Sequence, residues 1–124
     1  MTIQSFEDLE LYKRAREFRK AIYILIKVLP DEEKFNLASQ MRRAATSLTN
    51  NIAEGNGRFH YQESIQFCRQ ARGSLAELID DLNICLDENY LSADTIEDLK
   101  ARAYDVNKRI NGYIAYLRKM KADS

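Results

Sequence analysis

The polar residues best suited to chemistry in this chain gather between Gln40 and Glu77. Arg42, Arg43, Ser47, Asn50, Asn51, Glu54 and Arg58 come first, and Glu63, Arg72 and Glu77 follow. At about 100° per residue, Arg43, Ser47, Asn50 and Glu54 share one narrow helical stripe, turned away from the core face. Two kinds of chemistry suit such a set. Arginines beside amides and hydroxyls can grip phosphate or a partner's carboxylates, which makes Arg42, Arg43, Asn51, Glu54, Arg58 and Arg72 candidate RNA- or partner-binding residues. The same side chains can instead be consumed by interhelical hydrogen bonds and ion pairs that fix register. Gln40 and Asn51 lie at the edge of the core, where an amide satisfies backbone groups.

Other chemistries lack their residues. A di-iron bundle needs Glu-x-x-His pairs, and His60, the one histidine, has Gly57 three positions before it. That histidine and two distant cysteines make no zinc site of the usual kind. Gly55-Asn56-Gly57 follows a helix rather than a strand, so it is no P-loop or dinucleotide fingerprint. No catalytic residue, cofactor or small-molecule substrate is therefore expected. Gly73, in the middle of a helix, either admits another subunit or ligand or is simply tolerated.

The elements that carry these residues are helices. The chain has 124 residues, one domain's worth, with four glycines and Pro30 as its one proline. Leu11, Ala15, Phe18, Ile22, Leu25 and Leu29 alternate spacings of four and three, a heptad seam. Ser5 with Asp8 resembles a capping box at its start and Pro30 stops it. Asp31, Glu32 and Glu33 then suit the first turn of a second helix, with Leu37, Met41, Ala44, Leu48 and Ile52 as its core face. The third presents Phe67, Ala71, Ser74, Leu78, Leu82 and Cys85. Ser92 caps a fourth, whose seam is Ile96, Leu99, Ala103, Val106, Ile110, Tyr113, Leu117 and Met120. Helices over 5–29, 31–54, 60–89 and 92–121 predict an all-α, up-down-up-down antiparallel four-helix bundle as a single domain.

A second apolar stripe, Ile65, Cys68, Leu75, Ile79 and Leu86, runs beside the seam of the third helix. It either widens the face packed against two neighbours or forms an oligomer interface. Nineteen basic and nineteen acidic residues leave a formal charge of zero, against the strong positive field of many nucleic-acid modules. The balance is local, however: residues 61–90 hold two basic and six acidic side chains. Lys13, Arg16, Lys20 and Lys27 fall within one arc of the first helix, a solvated face or an RNA-backbone contact. Cys68 and Cys85, seventeen apart on one helix, lie roughly 25 Å apart and cannot bridge, as free thiols of a cytoplasmic protein would not. The longest apolar run, Ala21–Ile26, is far short of a membrane span.

The run Gln40-Met41-Arg42-Arg43-Ala44-Ala45-Thr46-Ser47, then Asn51-Ile52-Ala53-Glu54-Gly55-Asn56-Gly57-Arg58, resembles the bacterial four-helix-bundle family of the 23S rRNA intervening-sequence proteins. So does Ala71-Arg72-Gly73-Ser74-Leu75-Ala76-Glu77-Leu78, and the likeness extends from about Ser5 to Leu117. The resemblance implies a non-enzymatic bundle that assembles as a closed ring, most often a homopentamer, with RNA or a ribonucleoprotein as a candidate partner. A related branch, the accessory proteins of diversity-generating retroelements, implies the alternative of a protein-directed adaptor. Those proteins resemble strongly basic rings, whereas this chain is neutral.

Overall fold

The computed structural model describes residues 5–124. It contains four α-helices: α1 (Glu10–Ile26), α2 (Leu37–Gly55), α3 (Tyr61–Asp87) and α4 (Ala93–Asp123). Two single 3-10 turns, Phe6–Asp8 and Asp31–Glu33, precede α1 and α2, and no strand occurs among the described residues. The architecture is the all-α four-helix bundle that the apolar periods predict.

The boundaries differ from the expected ones for local reasons. Ser5 does accept from the Glu7 backbone N–H at 3.1 Å, but it caps the first 3-10 turn. Leu9, extended at φ −70° and ψ 130°, separates that turn from α1. Pro30 is extended too, and the acidic triplet that follows closes a 3-10 turn instead of opening α2. Asn36 then breaks the helical path at φ −125° and ψ −100°, so α2 begins at Leu37. At the end of α3, Asn89 enters the left-handed region at φ 59°. The Tyr90 N–H reaches Cys85 O at 2.9 Å and the Asn89 N–H reaches Leu86 O at 3.1 Å, a Schellman closure. Ser92 caps α4 as expected, accepting from the Thr95 N–H at 3.2 Å.

Each helix packs on its sequence neighbours, α1 closes the square against α4, and the backbones of the diagonal pairs stay apart. Cross-helix bonds give the directions. Arg19 meets Thr49 and Tyr23 meets Thr46 between α1 and α2. Gln62 with Lys121, Arg72 with Asn111 and Asn83 with Lys100 join α3 to α4. In every pair one number rises as the other falls, so α1 runs antiparallel to α2 and α3 to α4. Ser47 beside Ser74 and Gly55 beside Phe67 make α2 antiparallel to α3 as well.

All six seam residues of α1 and all five of α2 are buried. On α3 the buried set is wider than the seam alone. Phe67 and Ser74 are only partly buried, whereas Ile65, Cys68 and Leu75 are fully enclosed. That corrects the reading of Ile65, Cys68 and Leu75 as an oligomer interface. Because α3 makes the most extensive contacts of the four helices, with α2 on one side and α4 on the other, its buried face spans two adjoining apolar stripes, and these three residues serve the bundle itself. Ile79 packs partly buried against the same core. Of the second stripe, only Leu86 is classed as exposed.

Candidate functional site

The small polar residues of α2 face its neighbours at one level of the bundle. Asn51 Nδ2 donates to Ser47 O at 2.9 Å and to Ser47 Oγ at 3.0 Å. Ser74 Oγ on α3 donates to Ser47 Oγ at 2.9 Å, so three short side chains join α2 to α3. On the other flank, Thr46 Oγ1 donates to Arg42 O at 2.9 Å and shares a short hydrogen bond with the Tyr23 hydroxyl of α1. Arg19 Nη1 donates to the buried Thr49 Oγ1 at 2.8 Å. Each such bond contributes about 1 kcal/mol net, but leaving a buried partner empty costs more.

The candidate binding residues do not converge. Arg42 lays its guanidinium over the Tyr23 ring, 4.5 Å from the centroid, on the α1 side. Arg58, just beyond α2, is held three ways: to Glu54 Oε2 at 2.8 Å, to Glu54 O at 2.9 Å, and over the Phe67 ring at 4.7 Å. Arg72 reaches across to α4, donating to Asn111 Oδ1 at 2.7 Å. The Arg43 side chain is exposed and, unlike that of Arg42, has no ring contact, nor any hydrogen bond or ion pair among the described residues. Arg42, Asn51, Glu54, Arg58 and Arg72 thus form several separate contacts along and between helices.

The glycines of the motif divide by role. A Cβ on Gly55 would meet Phe67 Cβ at 2.8 Å and Ser64 O at 3.3 Å, so this position sets how closely α2 approaches α3. Gly57 turns the chain at φ +81°. Gly73 faces open space, and nothing in the bundle requires it.

Sequence reasoning passed over Asp81. This carboxylate is 3% exposed on α3, between Leu78 and Leu82, and its Oδ2 has no hydrogen-bond partner among the described residues. Burial, then the neighbouring Glu77 and Asp80, push its pKa from 3.8 to about 6. Seven residues from the Ser47–Ser74 contact in each helix, Gln40 comes level with Asp81, yet its amide donates to Asn36 Oδ1 at 3.3 Å. The signal was present: Leu78, Asp81, Leu82 and Cys85 share one helical face.

Neither cysteine is poised for chemistry. Both are buried and unbridged, and burial raises each thiol to about 11. No group of three or more His, Cys, Asp or Glu among the described residues is arranged to hold a metal ion. The concavities are open grooves. One between α1 and α4 is crossed by Arg14, bound to Glu10 at 2.9 Å and to Asp105 at 3.6 Å. A second, between the end of α3 and the start of α4, is lined by Leu86, Ala93, Ile96, Glu97, Lys100, Ala101 and Tyr104.

These features define a four-helix bundle whose most specific polar residues sit at its helix junctions. The chain belongs to the 23S rRNA-intervening sequence protein family, whose model matches residues 7–112. It is similar to a Bacteroides thetaiotaomicron protein of unknown function from the S23 ribosomal protein family, known from a 1.70 Å crystal structure. The TM-score is 0.78 at 24% identity, covering 85% of this chain and 95% of that one, a likeness of fold. Comparison with curated proteins found no match. No helix among the described residues is long and apolar enough to cross a membrane.

Proposed function

We propose that this chain is a non-enzymatic, self-assembling four-helix module that serves as a binding or scaffold component, with ribosomal RNA or a ribonucleoprotein as its partner class. One observation carries the reading. The specific polar side chains are mostly spent on internal bonds, while large apolar side chains, among them Leu86 and Tyr104 beside an open groove, stand in water. An enzyme of this size shows the reverse, with convergent polar groups in a sheltered pocket. The family description, a 23S rRNA-intervening sequence protein, is what favours this partner class, and a ring of such subunits would repeat every weak contact and so raise avidity.

Light scattering of the full chain at micromolar concentration tests the assembly, and a monomer would remove it from the proposal. Titration with structured RNA at two salt concentrations tests the partner. Affinity should fall steeply with salt and weaken on Arg43→Ala, whose cation is free to contact phosphate. No binding at low salt would exclude RNA.

A further inference from the structure

We propose that copies of this chain meet through two unlike faces, the C-terminal end of α1 in one copy docking into the α3–α4 groove of the next. This rests on the self-assembly proposed above and names the surfaces that perform it. The first face is a knob. Ile24 and Val28 are 67% and 65% exposed, one turn apart and off the core seam of α1, with Lys20 and Lys27 beside them on the outer face. The second is the groove of roughly 450 Å³ between α3 and α4. Leu86 on one side is 39% exposed and Tyr104 on the other 55%, with the buried Ile96 also in the lining.

The two faces are opposite in charge as well as in shape. Residues 13–28 hold six basic side chains and one acidic. Residues 86–104, which span the groove lining, hold five acidic side chains and two basic ones. The Lys27 ammonium makes no hydrogen bond or ion pair among the described residues, and that of Lys20 has only a long contact of 3.7 Å with Glu17. On the groove, Glu97 is likewise unpaired, and Lys100, its one lining cation, is held against the α3 wall by its hydrogen bond to Asn83 Oδ1 at 2.8 Å. The formal charge of zero is thus the sum of two complementary fields.

Geometry then fixes the kind of contact. The groove opens on the α3 side of α4, whereas α1 packs on the other side of α4 with its backbone away from α3. One copy therefore cannot fill its own groove. A two-fold pairing of knob with knob or groove with groove would set like charges against each other. A head-to-tail contact satisfies both faces and leaves one of each free after every addition, the arrangement that closes into a ring or continues as a filament. A second copy is favoured over other occupants because both halves of the match lie on one chain. RNA would cover only the basic half.

Complementation between full-length variants tests this. Ile24→Asp spoils the knob and Leu86→Asp the groove, and both positions are exposed, so circular dichroism should match the parent. Each variant alone should be monomeric by light scattering. Mixed in equal amounts they should give a heterodimer and nothing larger, because one intact knob and one intact groove remain. Lys20→Glu with Lys27→Glu should also abolish assembly, and mixing it with Glu97→Lys should restore larger assemblies in which the two variants alternate, because each knob then meets a groove of opposite charge. If the parent assembles but these variants do so equally well, self-assembly stands and this placement of it falls. If both variants are monomeric yet do not complement, the unlike-face contact is wrong. A monomeric parent overturns both, and salt-sensitive RNA binding lost on Lys20→Glu with Lys27→Glu would then reassign the α1 face.

Discussion

Replacing Asp81 with Asn should stabilise the bundle at neutral pH and remove one part of its pH dependence. In the fold this carboxyl keeps its proton up to about pH 6, against 3.8 for an ordinary aspartate. Below about pH 4 both folded and unfolded chains are protonated there, and the group's charge costs nothing. Between about pH 4 and pH 6 the unfolded chain loses the proton while the fold retains it. Stability therefore falls as pH rises through that window and levels off above it. The difference corresponds to about 3 kcal/mol at about 1.4 kcal/mol per pH unit. An unpaired buried amide still costs about 1 kcal/mol or more, so Asp81→Asn should gain about 1–2 kcal/mol at neutral pH. Urea unfolding of both proteins at one fixed chain concentration, from about pH 4 to pH 8, gives the test, because subtraction cancels every other carboxylate. A difference that does not vary with pH, or a variant less stable at neutral pH, would refute the reasoning. The second result would mean that the Gln40 amide leaves Asn36 and turns onto the carboxylate.

Three glycine substitutions should give three different answers in thermal denaturation. Gly55→Ala should cost about 1–3 kcal/mol, since its methyl group meets Phe67 Cβ at 2.8 Å. Gly57→Ala should cost about 1 kcal/mol through its left-handed backbone, whereas Gly73→Ala, in open space, should add up to about 1 kcal/mol. Destabilisation at Gly73 would show that its face is covered in solution. Cys68 and Cys85 should react with a thiol reagent only after unfolding, their buried thiols lying near 11; labelling of the native protein at mildly alkaline pH would contradict their placement.

The heptad spacing made the helices legible, because the seams of α1, α2 and α4 needed only the period and the residue types. What it could not convey was how extensively each helix is covered by its two neighbours. On α3 the same apolar excess suits either an exposed interface or a second internal contact. Ile65, Cys68 and Leu75 answered for the interior once α2 and α4 were seen on either side. Helix starts were misplaced wherever a 3-10 turn carried the capping residues, as at Ser5 and at Asp31–Glu33. The motif around Gln40 to Arg72 was visible as a set of residue types. Its division into separate contacts was not, since that depends on which neighbour each side of α2 and α3 faces.

A bundle built from repeating seams has an inherent ambiguity, because sliding one helix by a heptad brings apolar residues against apolar residues again. Here the small residues remove it. Shifted one way, Phe67 would press on Leu48 instead of the bare backbone of Gly55, and Ser74 would face Gln40 instead of Ser47. The apolar seam spells out that these helices associate; Ser47, Ser74 and Gly55 act as a check digit on how they are aligned. Such a code is read only when the helices come together, and an error in it would yield a bundle of correct composition and wrong alignment.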